Sequence, residues 1–152
     1  MKILIANDGS EFGWSAVDFA ANIIDPNRET QVKMITVVEP AATIEVETII
    51  ESVEELADPK NLEAQRANDI AERSAKLLRE KFDGAKIRIS HEIIGGLAAR
   101  TIVEKAEEWQ ADLIVVGSHG YGFWKKAWRG SVSTLVADHA KCSVLIVRRD
   151  KD

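Results

Sequence analysis

Apolar residues recur along this chain in two rhythms. Ile3 to Ala6, Val32 to Val38, Asp112 to Val116 and Ser143 to Arg148 read as near-continuous apolar runs. That is the pattern of strands buried on both faces, and such strands belong in parallel sheets. Between the runs, apolar positions return at helical spacing. Trp14, Val17, Ala21 and Ile24 mark a first helix, capped by Ser10 and stopped by Asp25-Pro26-Asn27. Ala67, Ile70, Ala71, Ser74, Leu77 and Leu78 form the sheet-facing stripe of a long helix from about residue 60 to 82. Ile102, Ala106 and Trp109 mark another over 97–109, and a last helix is expected from Ser131 to about Lys141. One strand differs. Ala85 to Ile93 alternates Ile87, Ile89 and His91 against Lys86, Arg88 and Ser90, which predicts a half-exposed strand at a sheet edge.

Strands alternating with helices predict an α/β fold: a single doubly wound, five-stranded parallel sheet with helices on both faces, one domain over residues 1–152. With five strands and an edge-like third, the strand order 3-2-1-4-5 is the economical choice. The winding then reverses between strands one and four, and open sheets bind ligands in the crevice at the carboxyl ends beside that point. Asn7-Asp8 stands at one lip of the crevice and Gly117-Ser118 at the other. Residues 41–58 depart from the alternation. Ile49, Ile50, Val53 and Leu56 keep helical spacing among Glu45, Glu47, Glu51, Glu54, Glu55 and Asp58, an amphipathic excursion with a solvated acidic face rather than a metal site.

Composition narrows the function. A net charge of −5 argues against a nucleic-acid or anionic-membrane binder. The single cysteine, Cys142, allows no internal disulfide and suits a reducing compartment. Without a long apolar span or a leader pattern, the expected location is cytoplasmic, with no membrane partner.

The chemistry concentrates after the fourth strand. Val116-Gly117-Ser118-His119-Gly120 is followed, nine residues on, by Gly130-Ser131-Val132-Ser133. A helix start has four unpaired N–H groups and the positive end of the peptide dipoles, and glycines beside it let a backbone approach a bound anion. Ser131 and Ser133 add hydroxyls, and Arg129 directly precedes Gly130. Phosphate contacts of roughly 1.5–3 kcal/mol each do not by themselves offset the roughly 4–15 kcal/mol cost of immobilising a ligand. A base pocket is therefore needed, for which Val37, Val38 and Val116 can supply apolar walls. The intervening loop interleaves Phe123, Trp124 and Trp128 with Lys125, Lys126 and Arg129; the cations can reach phosphates, or the indoles can pack on a neighbouring surface. There is no P-loop lysine motif and no complete dinucleotide fingerprint.

The Gly117, Gly120, Gly130, Ser131 spacing resembles the nucleotide-binding motif of the ATP-binding branch of the universal stress protein family. Ile3 to Ser10 and Cys142 to Val147 are similar to that family's first and last strands, so the resemblance spans the chain. It implies the same strand order, in an adenine nucleotide alpha hydrolase-like arrangement, and a stress-response role. The ligand it implies is ATP, with or without Mg²⁺. Asp8 would lie near sugar or base, Val37 beside adenine, and Val116 and Gly117 along the ribose. Gly120, Gly130, Ser131, Val132 and Ser133 would surround the phosphates, and Ala6 and Arg129 complete the expected set. Family members characteristically dimerise through the last strand, here Val144, Leu145, Ile146 and Val147, and an apolar edge strand does need covering.

Catalysis has thin support. Asp8 could hold Mg²⁺ through water and His119 could act as a base, but both have simpler uses, so at most slow ATP hydrolysis is expected. His91 and His139 lack obvious partners. The competing readings are a dimeric interaction protein with an empty site and a binder of AMP or cyclic AMP.

Overall fold

In a computed structural model the described residues are 1–39, 62–118 and 132–148. The expected acidic excursion at 41–58 and the aromatic and basic loop at 121–129 lie outside them. The elements follow in the order β1 (Lys2–Ala6), α1 (Glu11–Ile23), β2 (Thr30–Val38), α2 (Leu62–Lys81), β3 (Ile87–Gly95), α3 (Ala98–Trp109), β4 (Leu113–Gly117), α4 (Val132–His139) and β5 (Ser143–Val147). All five strands are parallel and their spatial order is β3-β2-β1-β4-β5. The order expected from the edge-like third strand is therefore the observed one.

Strand alternation divides the core. Ile3, Ile5, Val32, Met34 and Val115 point to one face and pack under α1 and α2, whereas Leu4, Ile35, Ile114 and Val116 point to the other, under α3 and α4. Ile3, Leu4 and Ile5 are each 0% exposed, which is why β1 shows no polar alternation. Each such side chain contributes about 1.5–3 kcal/mol on burial. On β3, Ile87 and Ile89 pack on the α2 side while Arg88 and Ser90 stay exposed. The strand runs two residues past its alternating stretch because pairing with β2 continues to Val38 opposite Gly95.

Two local expectations change. Leu77 is 41% exposed and leaves the α2 stripe. Ala67, Ala71, Ala75 and Leu78 take the centre line, and at about 100° per residue Leu77 swings to the flank. Helix α4 ends at His139 rather than Lys141, with Ala140 N–H still bonding the Val136 carbonyl.

Candidate functional site

The end of β1 builds the first wall. Asn7 N–H continues the ladder to the Ile35 carbonyl at 3.0 Å, and the chain then folds on its own side chains. Asn7 Oδ1 accepts from Gly9 N–H at 2.9 Å, Asp8 Oδ1 from Ser10 N–H at 3.0 Å and Ser10 Oγ from Gly13 N–H at 3.1 Å. These are two Asx turns followed by the expected serine N-cap of α1. Gly9 has φ +80°, a conformation that costs glycine little.

Two glycines let the walls close. A Cβ on Gly117 would stand 2.6 Å from the backbone carbon and oxygen of Phe12, so the first turn of α1 rests on the tip of β4. A Cβ on Gly13 would stand 2.2 Å from Asn7 Oδ1. Neither position can carry a side chain without moving the turn.

The crevice between these walls lies at the carboxyl ends of β1 and β4, where the winding reverses. Among the described residues Ala6, Asn7, Asp8 and Gly13 line one side, Ile35 and Val37 of β2 another, Ala98 and Ile102 of α3 a third, and Val116, Gly117 and Val132 the rest. Its floor is apolar and its lip polar. At the start of α3, Leu97 provides no side-chain cap; instead Glu39 Oε1 reaches across from the end of β2 and accepts the Ala98 N–H at 3.0 Å. That carboxylate satisfies a helix-start amide beside the crevice.

Of the residues singled out in the sequence, Ala6, Asp8, Val37, Val116, Gly117 and Val132 come together here. Ser133 does not line the crevice. It is 4% exposed, and its hydroxyl donates to the Ser118 carbonyl at 3.1 Å, tying α4 to the end of β4. Gly120, Arg129, Gly130 and Ser131, together with His119, lie outside the described residues. Val38 is absent from the lining and Ile35 takes its place, because the strand's period of two puts Ile35 and Val37 on one face and Val38 on the other. Asn7 lines the crevice at the lip where the sequence placed it, whereas Gly13, Ile35, Ala98 and Ile102 were missed. Ala98 and Ile102 carry a weak signal, an i, i+4 pair on the face that already holds Ala106.

Other reactive groups stand away from the crevice. His91 is exposed on β3, and His139 Nδ1 lies 2.9 Å from the Leu135 carbonyl one turn back. Cys142 packs against the α3 and α4 layer, where burial, the largest influence, pushes its thiol up, away from the thiolate a nucleophile needs. Among the described residues no three His, Cys, Asp or Glu side chains cluster as metal ligands, and no helix is long and apolar enough to cross a membrane.

Comparison with known proteins bears on this geometry directly. The model of the universal stress protein family matches residues 1–148. The chain belongs to that family. A universal stress protein of Methanocaldococcus jannaschii is 31% identical over 151 residues, covering 99% of this chain and 83% of the relative. Among solved structures, universal stress protein UspA from Lactobacillus plantarum superposes with a TM-score of 0.77 at 27% identity over 97% of each chain. A universal stress protein solved in complex with cAMP has a TM-score of 0.62 at 26% identity, covering 97% of this chain and 96% of that one. The family and fold implied by the glycine spacing are thus those of the chain.

Proposed function

We propose that the crevice binds an adenine nucleotide, ATP in the first instance, and that occupancy biases the association of this chain with itself or with partners in a stress response. The observation that carries this reading is the coincidence of an apolar-floored pocket with the reversal of winding between β1 and β4. Ile35, Val37, Ala98, Ile102 and Val116 suit the faces of a base. Asp8 at the lip suits a ribose hydroxyl or a hydrated Mg²⁺. The phosphates fall to Gly120, Arg129, Gly130, Ser131 and Val132, the backbone at the start of α4 supplying most of the donors. In this reading residues 1–152 form one cytoplasmic domain that pairs with a second copy through β5, whose Val147 is buried within the protomer while Ile146 is 36% exposed. Hydrolysis in this reading is at most slow, with Asp8 used for the ribose or a hydrated Mg²⁺ rather than as a base for water.

Cyclic AMP is the second reading, supported by the cAMP complex of a neighbour 26% identical to this chain. One experiment separates the readings. Natively purified protein is denatured and its released nucleotide identified by mass spectrometry, and ATP, ADP, AMP, cyclic AMP and the nucleoside adenosine are then titrated calorimetrically into wild type and Gly130→Val. ATP affinity should fall by at least tenfold, or about 1.4 kcal/mol, in the variant, with adenosine binding little changed. Equal ATP affinity in the two proteins removes the phosphate assignment. Binding of none of the four nucleotides removes the function.

A further inference from the structure

The lip of the crevice is held from behind by a helix that does not line it. Asn7 is 2% exposed and Ser74 of α2 is 0% exposed. The Asn7 amide nitrogen donates to Ser74 Oγ at 3.0 Å, and Ser74 Oγ in turn donates to the Ile70 carbonyl at 2.7 Å. The other end of the same carboxamide accepts the Gly9 N–H at 2.9 Å. One side chain therefore joins α2 to the turn that carries Asp8, across 67 residues of sequence. Packing repeats the connection, because a Cβ on Gly9 would stand 2.5 Å from Ile70 Cδ1.

Ser74 is out of character for its surroundings. The buried positions around it on α2 are Ala67, Ala71, Ala75 and Leu78, and an alanine at 74 would complete an apolar stripe without a hydroxyl to satisfy. A buried hydroxyl is disfavoured unless it is hydrogen-bonded, and this one is bonded on both sides. What the hydroxyl adds is an acceptor for Asn7. With it, the carboxamide is fixed at both ends, and so is the turn whose next residue, Asp8, faces the crevice.

We propose that Ser74 is a positioning residue: through the Asn7 carboxamide it fixes the turn from Asn7 to Ser10 and the Asp8 carboxylate, so that the seating of α2 sets the affinity of the crevice for its nucleotide. The affinity part rests on the nucleotide-binding reading above; the positioning of the turn does not. A shift of α2, by whatever acts on that helix, would then reach the ligand without touching it.

The test uses the full chain and variants Ser74→Ala and Ser74→Cys, the second keeping a single polar atom beyond Cβ, somewhat larger than the hydroxyl and a weaker acceptor. Native-state amide exchange at Gly9 and Ser10 is compared with that at Ile5 in the sheet centre, without nucleotide. ATP is then titrated into each folded protein. The proposal expects Gly9 and Ser10 exchange in Ser74→Ala to rise about tenfold more than Ile5 exchange, with a smaller rise in Ser74→Cys. ATP affinity should fall about five- to tenfold in Ser74→Ala. If all three amides rise together in both variants, Ser74 is only a stabilising contact and the proposal fails. If the turn loosens and ATP affinity is unchanged, the link to affinity fails. Should Ser74→Ala not fold, Ser74→Cys alone decides by the same comparison. If wild type binds no nucleotide, the functional reading falls, and the exchange data still decide whether Ser74 positions the turn.

Discussion

The two faces of the sheet end differently at the carboxyl edge. Under α1 and α2 the core closes over, and its last layer is polar: Asn7, Thr36 and Ser74 are each at most 3% exposed. Asn7 and Ser74 satisfy one another, whereas the Thr36 hydroxyl makes no hydrogen bond among the described residues. Under α3 and α4 the core stops one layer short. Leu4 is fully buried, but the next residue on that face, Ala6, is small and half-buried beside Ile35, and Ala98 of α3 is small as well. One face uses its tip to hold a turn rigid and the other leaves room for a ligand. The fold places the crevice at the winding reversal, but side-chain size decides on which face it opens.

The comparison breaks most visibly on the closed face. Leu78, 0% exposed in the α1 and α2 core, does not line the crevice. Leu78→Ala should cost about 2–5 kcal/mol of unfolding free energy from lost burial and the cavity left behind. Urea denaturation measures it. Leu78 stands one helical turn beyond Ser74 and does not bond Asn7, so nucleotide affinity of the protein that remains folded should fall by less than in Ser74→Ala. A loss as large as that one would mean that the two faces are not separable in this way.

The open face should respond the other way round. Ala6→Leu adds volume that projects into the crevice rather than the closed core, so stability should change by less than about 1.5 kcal/mol. ATP affinity should fall at least tenfold, or about 1.4 kcal/mol, because the side chain takes the space of the base. Calorimetric titration beside a urea melt reads both. Intact affinity in a folded variant would put the base elsewhere.

How much of this could be read from the sequence divides along the same line. The central strands and their order were legible because Ile3 to Ala6 and Leu113 to Val116 carry no polar alternation and residues 85–93 do. Asp8, Val37, Val116 and Gly117 were legible because a glycine after a buried strand marks the strand's end, and strand ends meet at the reversal. Ala98 and Ile102 were not, since which face of α3 turns toward β2 is set by how the helix sits on the sheet. Gly117 also has a reason that its spacing did not give. Its missing side chain makes way for the backbone of Phe12, a contact across 105 positions that no local pattern contains, whatever approach to a ligand it also permits. Leu77 failed for a related reason: apolar spacing gives a stripe, but only packing decides where its edge lies.

The smallest effect concerns what holds the outer margin of the open face. There β3 turns Glu92 toward α3, and its carboxylate meets Lys105 Nζ at 3.0 Å and Lys33 Nζ at 3.4 Å. The ammonium of Lys33 also lies 5.1 Å from the centre of the Trp109 ring, so charges and one indole do at this margin what Ile87 and Ile89 do on the opposite face. Burial pushes the Glu92 carboxyl up, but the hydrogen bond from Lys105 and the charges of Lys105 and Lys33 together hold it below its ordinary value of 4.5. A carboxyl depressed on folding stabilises the fold above its unfolded pKa, and that contribution is lost as pH falls through the folded value. With a side chain 39% exposed, solvent screening limits it to under about 1 kcal/mol. Glu92→Gln should therefore be less stable than wild type by that amount near neutral pH, and the gap should close below about pH 4.5. The deficit of Leu78→Ala, which involves no titrating group, should stay the same over that range in paired urea melts. Because glutamine keeps the same stem and changes only the head group, a Glu92→Gln gap that persists at about pH 3 would show that the deficit does not come from the charge of Glu92.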